Sequence, residues 1–152
     1  MNAMTRDFSF SVRTTLGFQE SLDLLRRKLQ RDGFRVVSEV HFHREFEKRV
    51  GLQWRKYTVL VIWNPFLAYQ ALLSDHDGGL FVPFNLAVTE DAGSTLIATP
   101  NHSWAALSES PIGIQVLVRE LTRKLRQIFL ELAIQETAVN CVGPAAPQKE
   151  AP

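Results

Sequence analysis

The chain has 152 residues, 45% of them hydrophobic and 22% charged, the size and composition of one globular domain with a single core. Its 17 basic and 16 acidic residues leave a formal charge of +1, which excludes a net field able to hold it on nucleic acid or an anionic membrane. The N-terminal MNAMTRDFSFSVRTT lacks a signal-peptide core, no run approaches the roughly 20 apolar residues of a membrane span, and the lone Cys141 has no partner for a disulfide or a cysteine-based zinc site, so a reducing, cytoplasmic setting is expected.

In chain order, Phe8, Phe10 and Val12 alternate with Ser9, Ser11 and Arg13, the period of a strand with one buried face. From Phe18 the spacing becomes helical, with Leu22, Leu25 and Leu29 on one side. Arg26, Arg27, Lys28 and Arg31 crowd the last turns before Gly33 and read as a solvated face complementing the helix dipole. A second strand is expected over 34–43, with Phe34, Val36, Val40 and Phe42 on one side and Arg35, Val37, Glu39, His41 and His43 on the other. Residues two apart on a strand lie roughly 6.5 to 7 Å from each other. His41 and His43 could therefore lean onto one metal ion, with Glu39 as a third ligand of a type zinc accepts. Phe46 and Val50 then form a one-turn apolar pair that Gly51 ends.

A third strand, 53–63, carries Tyr57, Val59, Val61 and Trp63 on one face and Leu60 and Ile62 on the other. Apolar residues on both faces imply cover on both sides, by helices and loops or by a second subunit. Asn64 is a favoured N-cap and Pro65 a favoured first helical residue. The helix they open runs to about Ser74 and is expected to bury Phe66, Tyr69 or Ala68, Leu72 and Leu73. The loop Asp75 to Gly79 follows. Pro83 then marks an edge, a bulge or a strand entry, and Asn85 needs partners if it is buried. The turn 90–94 joins a hairpin of 86–89 with 95–99. Ser110-Pro111 opens the longest helix, whose stripe is Ile114, Leu117, Val118, Leu121, Leu125, Ile128 and Leu132, with Glu120 and Lys124 paired on the wet side. Residues 136–152 read as a disordered tail after a single domain, 1–135.

The order of about five strands, two main helices and one short helix defines an α+β two-layer sandwich with a mainly antiparallel sheet. None of the phosphate-loop, dinucleotide, zinc-protease or nucleophile-elbow motifs is present. Trp54, Trp63 and Phe81 have too few cationic neighbours for a base-stacking platform and read as core.

GFRVVSEVHF at 33–42, EKRVGL at 47–52, YTVLVIWNPFLAYQALLSD at 57–75 and GGLFVPFNLAVTED at 78–91 together resemble the bacterial and archaeal family called domain of unknown function 302, across about residues 8–130. The resemblance implies an antiparallel sheet backed by two helices, often assembled as a dimer, and no established activity. Many members of one branch carry cysteines where this chain has Trp63 and Phe84, so a thiol-based role is out of reach here. Asn64, Pro65, Asp75, Pro83 and Asn85 match the family frame. The two rings either plug the former site or wall an apolar pocket.

The favoured expectation is a non-enzymatic homodimeric module. It would bind a small apolar or aromatic ligand, or a protein partner, around Trp63, Asn64, Asp75, Pro83, Phe84 and Asn85. The alternative is a metal-dependent or acid–base enzyme using Glu39, His41 and His43, with Asp75 or His102. No cofactor is indicated by any motif, and neither nucleic acid nor membrane is expected as a partner.

Overall fold

The computed structural model describes residues 3–6, 8–101 and 110–139, the side chains of 134–139 excepted. The strands are β1 (Ala3–Thr5), β2 (Ser9–Thr14), β3 (Arg35–His41), β4 (Tyr57–Trp63), β5 (Phe84–Asp91) and β6 (Ser94–Pro100). They form one sheet in the order β1-β2-β6-β5-β4-β3, antiparallel at every pairing. The helices are α1 (Phe18–Arg31), α2 (Phe42–Val50), α3 (Pro65–Ser74) and α4 (Ile112–Val139), with a 3₁₀ turn at His76–Leu80. The α+β class is as expected, with one strand more. His102, Trp104 and Cys141 lie outside the described residues.

Register explains how the core is built. Val12 faces Ile97, Ile97 faces Val88, Leu86 faces Leu60 and Phe84 faces Ile62, so one continuous apolar surface runs across four strands. All of these residues are buried beneath Leu22, Leu25 and Leu29 of α1 and the stripe of α4 from Ile114 to Leu132. The rings of Phe10 and Phe129 stack at 5.8 Å where α4 crosses β2. At the β5–β6 turn Ala92 and Gly93 have φ of 47° and 82°, the left-handed pair that a two-residue hairpin of matching twist requires.

Several expectations change. Phe8, 66% exposed, does not join Phe10 and Val12 in the core, and Trp54 and Trp63 are exposed rather than buried. β4 begins at Tyr57, not Gln53, and β3 ends at His41, so Phe42 and His43 belong to the first turn of α2. A bulge between Val36 and Ser38 inserts one residue and reverses the alternation behind it. Glu39 therefore lies opposite Leu60 and His41 opposite Thr58, on the same helix-covered face as Val36, while Val40 turns outward. On α4, Glu120 bonds Arg123 at 2.8 Å rather than Lys124.

The basic end of α1 is not simply a solvated face. Lys28 is buried, and its Nζ donates to Glu131 of α4 at 3.1 Å while Arg31 donates to the same oxygen at 2.9 Å. These bonds hold the Glu131 carboxyl below its usual range, the Arg31 bond contributing most. A depressed folded-state pKa adds stability that is present above the unfolded value and lost as pH falls through the folded one. Glu131→Gln is thus expected to cost about 1 to 2 kcal/mol at neutral pH, because Lys28 keeps a buried charge with a poorer acceptor. In urea melts the difference from wild type should shrink below about pH 4.

Candidate functional site

The signature stretch builds its local structure as its residue types dictate. Asn64 is extended, and its Oδ1 accepts from the amides of Phe66 at 3.1 Å and Leu67 at 3.2 Å. Pro65 occupies the first helical position, where a missing donor costs nothing. The same buried amide packs on the end of α1: a Cβ on Gly33 would stand 3.3 Å from Asn64 Nδ2, and Gly33 has φ of 84°. Gln30, Phe34, Val36, Asn64 and Phe66 line an open cleft of about 620 Å³ at this junction. Asp75 caps the 3₁₀ turn, its Oδ1 accepting from Asp77 N at 2.8 Å. Pro83 stands immediately before β5, as a strand entry.

Trp63 and Phe84 do not wall one pocket. Phe84 sits opposite Ile62 on the inner face and is 2% exposed, so it fills the core. Trp63 follows Ile62, emerges on the outer face and is 37% exposed. Asn85 pairs with Val61 on that outer face and is exposed, so its amide carries no burial penalty.

Of the residues expected to be buried on the Asn-Pro helix, only Ala68, the alternative to Tyr69, is so. Leu67, Ala68 and Ala71 are its buried residues, whereas Phe66, Tyr69, Leu72 and Leu73 stand in solvent, Phe66 at 67% and Leu73 at 69%. Small residues face inward because the neighbours are close. A Cβ on Gly78 would lie 2.5 Å from the Ala71 carbonyl oxygen, and one on Gly113 of α4 would lie 2.6 Å from Ser74 Oγ. The outward stripe of α3 continues into Leu80, Ile112 and Val116, all exposed, and α3 itself contains no charged residue.

The outer face of the sheet is also apolar at its centre. Val40, Val59, Ala87, Ala98 and Ser11 form one row across five strands by register, between Arg35 on one flank and Arg13 on the other.

Glu39, His41 and His43 are neighbours, though each already has partners. Glu39 accepts three bonds from Arg26, at 2.8, 2.8 and 3.0 Å. His41 Nδ1 is 2.9 Å from Thr58 Oγ1, and its Nε2 is 3.7 Å from Glu39. His43 Nδ1 lies 3.0 Å from the Tyr57 carbonyl and accepts from the Tyr57 amide at 3.1 Å. The two rings are 6.0 Å apart. Burial, then the Arg44 charge, holds His41 below its ordinary value, against the pull of Glu39. Among the described residues, the three-residue group whose potential ligand atoms all lie within 4.8 Å of one another is Asp75, His76 and Asp77. It is an exposed turn with Asp75 already engaged.

Fold and surface together define a small α+β protein whose two long helices cover one face of its sheet and whose described residues leave apolar surface exposed on α3. The chain belongs to the family described as Domain of unknown function DUF302, whose model matches residues 10–132. A solved structure similar to it is the crystal structure of uncharacterized conserved protein DUF302 from Bacillus stearothermophilus. That structure has a TM-score of 0.74 and 21% identity, over 82% of this chain and 97% of that one, a likeness of fold. No curated protein matches the chain. No helix among the described residues is long and apolar enough to cross a membrane.

Proposed function

We propose that the chain is a non-enzymatic homodimeric module that presents α3 as a docking surface to an apolar protein partner. The observation that carries this reading is uncharged apolar surface that the other described residues leave open on α3 and at the centre of the sheet's outer face. An antiparallel sheet with one wet face ordinarily alternates apolar and polar residues. Here β4 turns Tyr57, Val59, Val61 and Trp63 outward; Phe42 of α2 stacks on Tyr57 at 5.3 Å, while Val59 and Val61, with the small Ala87 and Ala98 beside them, form an apolar centre with polar flanks, the layout of an interface core and rim. A second copy is the occupant we assign to it, because the row holds no charges that a two-fold pairing would bring against their like. The α3 stripe then serves the partner. A helix apolar all round is one that is covered, and the shallow cleft of about 400 Å³ that Leu73 forms with Ile112 and Val116 gives an apolar side chain of the partner a place to seat.

The test of the α3 surface uses 8-anilinonaphthalene-1-sulfonate as an apolar probe on the folded protein. Its fluorescence is expected to rise with wild type and to lose most of that rise in a Tyr69→Glu, Leu73→Glu double variant of unchanged far-ultraviolet circular dichroism. Equal fluorescence from the two proteins would remove the docking face. The enzymatic alternative requires Glu39 to leave Arg26 before it can act as ligand or base. Equilibrium dialysis against zinc, with His41→Ala and His43→Ala beside wild type, tests its metallic form.

A further inference from the structure

A second cleft lies at the opposite end of α1 from Asn64. Phe18, Gln19 and Leu22 of α1, with Arg26, His41, His43, Arg44 and Lys56, enclose about 140 Å³, room for four or five waters at about 30 Å³ each. Its charges are unbalanced. Two of the carboxylates beside it, Glu39 and Asp23, are both engaged by Arg26, Glu39 at 2.8 to 3.0 Å and Asp23 at 2.8 Å. Arg44 makes no ion pair among the described residues. Lys56 Nζ stands 6.0 Å from the Phe18 ring and no nearer than 3.8 Å to Glu90, its closest carboxylate among those residues. Two cations thus remain at the cleft with no acid committed to them at hydrogen-bond distance.

The neutral donors point the same way. Gly17, the N-cap of α1, has no side chain to bond the first-turn amides, and these add to the positive end of a 14-residue helix. Such surroundings oppose a divalent metal ion, which would add charge beside Arg26, Arg44 and Lys56, and favour a group that brings negative charge and accepts several hydrogen bonds.

We propose that this cleft binds one small oxyanion, a phosphate or carboxylate group, held between Lys56 and Arg44 at the N-terminal end of α1. The volume admits a single such group and leaves the rest of a larger molecule outside, toward the exposed Arg44 and Lys56.

The experiment is a titration of the full chain followed by backbone amide chemical shifts, at constant pH and with ionic strength held by chloride. Inorganic phosphate is one arm and acetate the other. Saturable shifts of Phe18, Gln19, His43 and Arg44 are expected with phosphate. Arg44→Gln and Lys56→Gln, both at exposed positions, should each weaken binding about tenfold, the weight of one charge-assisted hydrogen bond. Saturation by acetate as well supports any small oxyanion, and saturation by phosphate alone supports the phosphate class. Non-saturating shifts in both arms, or saturation unchanged by both substitutions, would overturn the proposal.

Discussion

Phe84→Ala is expected to lower stability by about 3 to 4 kcal/mol, the cost of removing a large aromatic from a closed core. Phe84 is buried on the inner face opposite Ile62, between the sheet and the helical layer, so its loss leaves a cavity that backbone on both sides keeps from collapsing. Chemical denaturation with a shared slope for wild type and variant measures the difference. The size of the effect matters for function. A ring lining an occupied pocket would be removed at little cost to the empty protein, whereas a ring filling the core would not. Trp63→Ala is the companion. Because Trp63 stands half-exposed on the other face, it should cost under about 1.5 kcal/mol. Near-equal costs for the two variants would restore the picture of one aromatic-walled site.

Gly78→Ala is expected to cost about 2 to 3 kcal/mol by overpacking. The added methyl would stand 2.5 Å from the Ala71 carbonyl oxygen, 2.8 Å from its carbon and 3.0 Å from Ile114 Cδ1. Two of these contacts are backbone, which cannot swing aside, so the 3₁₀ turn must move away from α3. Gly79→Ala provides the control. Its methyl would meet only Leu72 Cδ2 at 3.5 Å, an ordinary contact, and the change should stay within about 0.5 kcal/mol. If the two glycines respond alike, the close approach that turns Ala71 inward and Leu73 outward is not what positions α3.

Much of the fold is legible in the residues. Leu22, Leu25 and Leu29, and the α4 stripe, repeat at helical spacing, and Asn64-Pro65 announces the start of α3 by side-chain chemistry alone. What escapes is information carried by neighbours in space. β1 is three residues, Ala-Met-Thr, too short to show alternation, and it exists because β2 offers an edge. The bulge at Val37 cannot be read from composition, yet it decides that Glu39 and His41 face α1 and its Arg26. In α3 every turn offers apolar residues on all sides, so periodicity selects no face. Steric closeness to Gly78 and Gly113 does, by admitting only the alanines and Leu67. The family-matched residues were recoverable one by one, but their grouping was not. Trp63 and Phe84 sit on neighbouring strands, one position out of step, and that single step places them on opposite sides of the sheet.

The same register that separates Trp63 from Phe84 places Val59 and Val61 together on the outer face, where we propose that a second copy packs. Sedimentation velocity at micromolar concentration, on wild type and Val61→Lys, tests that claim most directly. Wild type is expected to sediment at twice the chain mass of 17.3 kDa, and Val61→Lys at the mass of one chain, since a lysine at the centre of the outer face places two like charges against each other across a two-fold. A wild-type protein that stays at single-chain mass across the concentration range, or a dimer indifferent to Val61→Lys, would contradict it.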